Sequence, residues 1–90
     1  MKYFDWDESK NQWLKTMRNI CFEDVLIAIE EDRLLDDLEH PRRQNQRQMV
    51  IKHNNYVYLV PYVEDDEKIF LKTIIPSRKA KRDYLGGDEQ

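Results

Sequence analysis

Glycine is almost missing from this chain of 90 residues: there are two, Gly86 and Gly87, adjacent near the C-terminus. A glycine-rich loop that wraps phosphate with bare backbone is therefore excluded from the body of the sequence. Cysteine is reduced to Cys21, which rules out an internal disulfide and a cysteine zinc cluster and is in keeping with a reducing compartment. The two histidines, His40 and His53, have no metal-ligand spacing to each other or to the scattered acids, so no metal or other cofactor is expected. No apolar run approaches membrane-spanning length, and no secretory apolar core stands at the N-terminus. These observations lead us to expect a cytoplasmic protein with no membrane partner.

What remains is polar, charged and unevenly distributed. The net charge is −3. Residues 1–40 hold eleven acids against five bases, whereas residues 41–90 hold ten bases against seven acids. An acidic first half does not suit wrapping a long nucleic acid. A local basic site in the second half remains open. Ninety residues suffice for one domain with a modest core, expected over 1–85 with a flexible tail at 86–90.

The most informative stretch is 68–84. Ile69 to Ile75 is nearly continuous in apolar and β-branched residues and predicts a strand buried on both faces, ending at Pro76. Ser77 is placed to cap a short helix over Arg78–Tyr84. That helix gathers Arg78, Lys79, Lys81 and Arg82. It reads either as a phosphate-binding surface or as a solvated helix whose cations suit the dipole at its C-terminal end.

Upstream, Tyr3–Trp6 predicts a short strand, with Asp5 and Glu8 spaced as a capping box for a helix over 7–18. Trp13, Leu14 and Met17 share one expected buried face, and Asn19 suits a left-handed stop. A second helix is expected over 22–32, with Phe22, Val25, Leu26 and Ile29 inward. Strands follow at 34–39, 48–53 and 56–63, the last two joined by Asn54-Asn55 in a type I′ turn. Arg42–Arg47 reads as a loop, and Pro61 should direct its missing donor outward or sit at an irregularity. The order β-α-α-β-β-β-β-α predicts an α+β domain with two N-terminal helices on an antiparallel sheet and a short C-terminal helix.

Three segments resemble one known family. Phe4-Asp5-Trp6-Asp7 with Lys10 is similar to an F-x-W-D-x-x-K opening. Ile20-Cys21-Phe22-Glu23 is similar to V-S-F-E before a second helix. Ile74 to Ala80 resembles I-I-S-A-R-x-A, with Arg78 on the arginine and Ala80 on the alanine; Tyr84 falls near the aromatic that follows. The family is BrnT, toxins of bacterial type II toxin–antitoxin pairs with a RelE/ParE-like fold. Its Lys-His-Gly between the helices is Met17-Arg18-Asn19 here, Cys21 replaces the usual serine, and Pro76-Ser77 replace Ser-Ala. A family arginine before the middle strands falls on Gln46 or Arg47.

The resemblance implies an endoribonuclease that inhibits translation and is silenced by a cognate antitoxin, with DNA contacted only through that antitoxin. The RNA would supply its own 2′-hydroxyl as nucleophile, a reaction that needs a proton acceptor, cations on the phosphorane and an acid for the leaving oxygen, and no metal. Arg78 is the leading phosphate-stabilising cation, with Arg82 one turn on. His53 and Tyr84 are proton-transfer candidates, and Lys52, Arg47, Lys79 and Lys81 are candidates for RNA contact. A non-catalytic interaction module of the same fold is the alternative.

Overall fold

The computed structural model describes residues 2–86, which form β1 (Tyr3–Asp5), α1 (Glu8–Arg18), α2 (Phe22–Glu30), β2 (Leu34–Glu39), β3 (Gln46–His53), β4 (Tyr56–Glu64), β5 (Lys68–Leu71), β6 (Ile75–Pro76) and α3 (Arg78–Leu85). The expected α+β class is observed: three helices and a mostly antiparallel six-stranded sheet. Strand order is β1-β5-β4-β3-β2, with β6 also paired to β4. One edge departs from the antiparallel expectation, because β1 runs parallel to β5. Residues 87–90 of the expected tail lie outside the described residues, and Gly86 itself is the left-handed cap of α3, at φ 89°.

The period of two along β3 divides the protein into two unequal layers. Met49 and Ile51 face α1 and α2, forming the main core with Leu14, Ile20, Phe22, Val25, Ala28, Tyr62, Leu71 and Ile74. Val50 faces the other way, where Val57, Ala80 of α3 and half-buried Leu35, Leu59 and Leu85 make a smaller cluster.

Local chemistry explains most element ends. Asp7 caps α1, its carboxylate accepting from the Ser9 N–H at 3.0 Å and the Ser9 hydroxyl at 2.9 Å. The expected box on Asp5 and Glu8 does not form, since Asp5 Oδ1 accepts from its neighbour, the Trp6 N–H, instead. Asn19 stops the helix at φ 58°. α2 ends at Glu30, short of the expected Asp32: three successive acids oppose the helix dipole there, and Asp32 turns the chain at φ 66°. Asn54 and Asn55 both take the positive φ of a type I′ turn.

Two expectations about burial are corrected. Leu14 is fully buried, but Trp13 is 42% and Met17 62% exposed. The inward partner of Leu14 is Asn11, also fully buried, and it joins the two helices: its Nδ2 donates to Glu23 Oε1 at 2.9 Å and its Oδ1 accepts from the Phe22 N–H at 2.7 Å. Trp13 instead lies under the Lys10 ammonium and the Arg18 guanidinium. The second correction concerns 69–75. It is not one strand buried on both faces but two short strands interrupted at 72–74, with Ile75 and Pro76 exposed. Pro61 explains the break. Its carbonyl accepts from the Lys72 N–H at 2.8 Å, and an extended residue points its N and its carbonyl to the same side. The missing donor therefore faces the gap between β5 and β6, where no ladder bond is required.

Candidate functional site

Helix α3 crosses the smaller layer from β4 toward β2. Ser77 starts it, its hydroxyl accepting from the Ala80 N–H at 3.0 Å while its own N–H donates to Val57 O. Ala80 is the buried contact. Arg78 and Arg82 stand two residues to either side of Ala80, so both point away from the sheet, one turn apart. Both are exposed, and neither has an ion pair among the described residues.

The other cations of this helix are engaged. Lys79 pairs with Asp83 at 3.0 Å. Lys81, expected to be solvated, is half-buried with its ammonium over the Tyr56 ring. Lys52 lies on the Val50 side of β3, the layer that α3 covers; its backbone is held at both ends by Arg33, through Lys52 N–H to Arg33 O and Arg33 Nη1 to Lys52 O. Tyr84 points back to the sheet and donates to Asp36 Oδ2 at 2.8 Å. That bond holds Asp36 below the usual carboxylate range and raises the Tyr84 phenol above its ordinary value. Tyr84 is thus kept protonated, able to donate but not to act as a base.

His53 lies in the opposite layer. It stands on the Met49–Ile51 side of β3, with Nε2 4.0 Å from Asp24 Oδ2 and its ring edge-on to Tyr58. The sheet separates it from Arg78. Arg47, at the far end of β3, is bound into a partly exposed network: its Nε donates to Asp37 Oδ1 and to the Tyr62 hydroxyl, both at 3.2 Å, and that hydroxyl lies 2.8 Å from both Asp37 oxygens. Burial, together with the Asp37 carboxylate, pushes the Tyr62 phenol up to about 12.

Cys21 caps α2 through its backbone N–H, which donates to Asp24 Oδ2 at 3.0 Å, with the thiol 3.4 Å from the same oxygen. Burial and the neighbouring acids raise its pKa, leaving it a poor nucleophile. Among the described residues there is no group of three or more metal-ligating side chains and no helix long and apolar enough to cross a membrane.

The structure thus brings Arg78, Arg82, Lys79, Lys81, Tyr84 and Lys52 to one layer and leaves His53 and Arg47 in the other. Sequence reasoning missed Asp36, Asp37 and Tyr62, because cross-strand partners far apart in the chain leave no local spacing to detect. A scan of protein-family models finds no match to this chain, and a search of curated proteins finds none either.

Proposed function

We propose that the protein is the toxin of a type II toxin–antitoxin pair, of BrnT type and RelE/ParE-like arrangement, acting in the bacterial cytoplasm on RNA and neutralised by a cognate antitoxin protein. One observation carries the reading. The charged side chains of the family-like segments nearly all have structural posts: Asp5 pairs with Lys68, Asp7 caps α1, Lys10 covers Trp13, Glu23 holds Asn11 and Lys79 pairs with Asp83. Arg78 alone among them has no partner among the described residues and faces solvent. The fold does not account for it, so a ligand is the natural explanation.

A guanidinium keeps its charge at any physiological pH and forks two donors onto a phosphate. Arg78 and Arg82 together would grip a phosphodiester and stabilise charge on its phosphorane. Tyr84 is the candidate acid for the leaving oxygen, and it would have to release Asp36 and turn from the sheet to donate there. A specific observation favours a second reading, a non-catalytic interaction module of the same fold that binds an antitoxin or other partner without cutting RNA. The imidazole best suited to proton transfer, His53, lies across the sheet from Arg78.

Growth, translation and RNA integrity after expression of the protein alone decide between them. Arrest with RNA cleavage is expected. Arg78→Ala should then lower the cleavage rate by about a hundredfold, by comparison with loss of one oxyanion donor, while thermal stability stays close to wild type. Arg78→Lys should recover part of the rate. Folded protein that leaves growth and RNA intact establishes the interaction module.

A further inference from the structure

A cleft of about 830 Å³ opens at the end of the sheet opposite the Asn54–Asn55 turn, between the β2–β3 loop and the β4–β5 turn. Its size falls within the range of small-molecule sites, and both cations and carboxylates line it.

The loop wall has a fixed shape although residues 41–45 are all exposed. His40 holds it: its N–H donates to Gln46 O at 2.9 Å, and its Nδ1 accepts from the Arg42 and Arg43 N–H groups at 3.1 and 3.2 Å. Asn45 closes the loop at φ 64°. The ring thereby fixes the backbone from which two adjacent arginines project, and neither has an ion pair among the described residues. Across the cleft, Glu64 pairs with Lys2, and Asp65 accepts from the Glu67 and Lys68 N–H groups. Glu39 and Asp66 also line the cleft, and neither carboxylate has an ion pair among the described residues.

Free guanidinium groups on one wall and free carboxylates nearby call for a ligand that is anionic at one end and rich in N–H donors at the other. A nucleotide has that form. Its phosphate suits Arg42 and Arg43, and the Watson–Crick edge of a purine or cytosine offers N–H groups to a carboxylate. Inorganic phosphate would satisfy only half of the cleft.

We propose that this cleft binds one nucleotide unit of a single-stranded RNA, its phosphate on Arg42 and Arg43 and its base edge toward Glu39 and Asp66, with His40 as the positioning residue of the loop. The choice of a strand over a free nucleotide rests on the RNA reading above.

The test is fluorescence anisotropy of a labelled single-stranded RNA dodecamer over a salt series, with 5′-mononucleotides as unlabelled competitors. The proteins are wild type, Arg42→Ala/Arg43→Ala and Arg78→Ala/Arg82→Ala, each checked for thermal stability. Loss of both loop arginines should weaken binding about tenfold and reduce the slope of log affinity against log salt by about 0.7, for the one phosphate of a single strand that the two arginines share. The same affinity and slope in the loop variant would overturn the cleft site while leaving the Arg78 reading intact. Binding of a 5′-mononucleotide, measured directly by titration calorimetry, with no anisotropy change for the dodecamer would make the occupant a free nucleotide and overturn the strand assignment. Wild-type protein that binds neither RNA nor mononucleotide would overturn the cleft proposal and remove its premise.

Discussion

Asn11 offers the sharpest test of how the two N-terminal helices are held. Its side chain is fully buried, and it supplies the Phe22 N–H with its acceptor at 2.7 Å. Asn11→Ala removes that acceptor and the donor to Glu23. Glu23 is exposed and regains water, so little is lost on that side. Phe22 is fully buried and its N–H has no such recourse. An unsatisfied buried donor costs about 1–3 kcal/mol, and the lost packing adds to it. A total of about 2–3 kcal/mol corresponds to a fall in Tm of roughly 10–20 °C for a domain of this size.

Calorimetry or a circular-dichroism melt measures this fall. Glu23 supplies an independent readout. The Asn11 amide is the first cause of its lowered pKa, so an NMR titration of the variant should show the Glu23 value rising toward normal. Asn11→Asp keeps an acceptor for Phe22 but sets one carboxylate against another. It should be destabilised at neutral pH and partly recover below the carboxylate range, where a shared proton removes the repulsion. A Tm for Asn11→Ala within a degree or two of wild type would refute the reasoning.

Tyr62→Phe should cost about 1–2 kcal/mol by chemical denaturation, because it deletes the buried hydroxyl between Asp37 and Arg47 while partly exposed Asp37 recovers water; no change in midpoint would show that the network contributes nothing. In a spectrophotometric titration of the folded protein, Tyr62 should ionise near 12. The raised value marks a phenol favoured in its protonated form, so its contribution to stability is full below the ordinary 10 and disappears as pH rises toward 12. Acid acts in the opposite sense. Asp7, Glu23, Asp36 and Asp65 all have lowered values, so their contributions are complete above about 4 and are lost as pH falls through the lowered range; melts between neutrality and strong acid should show Tm declining there. Cys21 should alkylate with iodoacetamide at mildly alkaline pH more slowly in the folded than in the urea-unfolded chain, because its thiol pKa is raised.

Local chemistry was well written into the sequence. The left-handed Asn19, the Asn54-Asn55 turn and the Ser77 cap follow from one or two side chains acting on their own backbone. Less legible was anything set by distant neighbours. The helical spacing of Trp13, Leu14 and Met17 locates an apolar stripe but not its centre, and α1 is buried along Asn11 and Leu14, leaving Trp13 and Met17 at the rim. The run from Ile69 to Ile75 has the composition of a buried strand, yet Pro61 on the neighbouring strand interrupts it. Of the candidate site, the Arg78–Arg82 face was readable from helical spacing after the Ser77 cap. The separation of His53 from it was not, because which layer a strand residue faces depends on a register fixed by the whole sheet.

The unequal division of the core also bears on how the protein comes apart. α3 is joined to the sheet through a two-residue strand and is held by the smaller cluster around Val50, Val57 and Ala80. The large cluster under α1 and α2 contains no α3 residue. Opening α3 uncovers only the smaller cluster and leaves the β3–β4 ladder intact, so it defines a separate low-energy unit of exchange. Amide protons from Lys81 to Leu85 should exchange with deuterium far sooner than those of Val50 or Val60. A ligand gripping Arg78 and Arg82 would slow that exchange without altering the rest of the sheet, so local protection at the C-terminus provides a direct measure of occupancy.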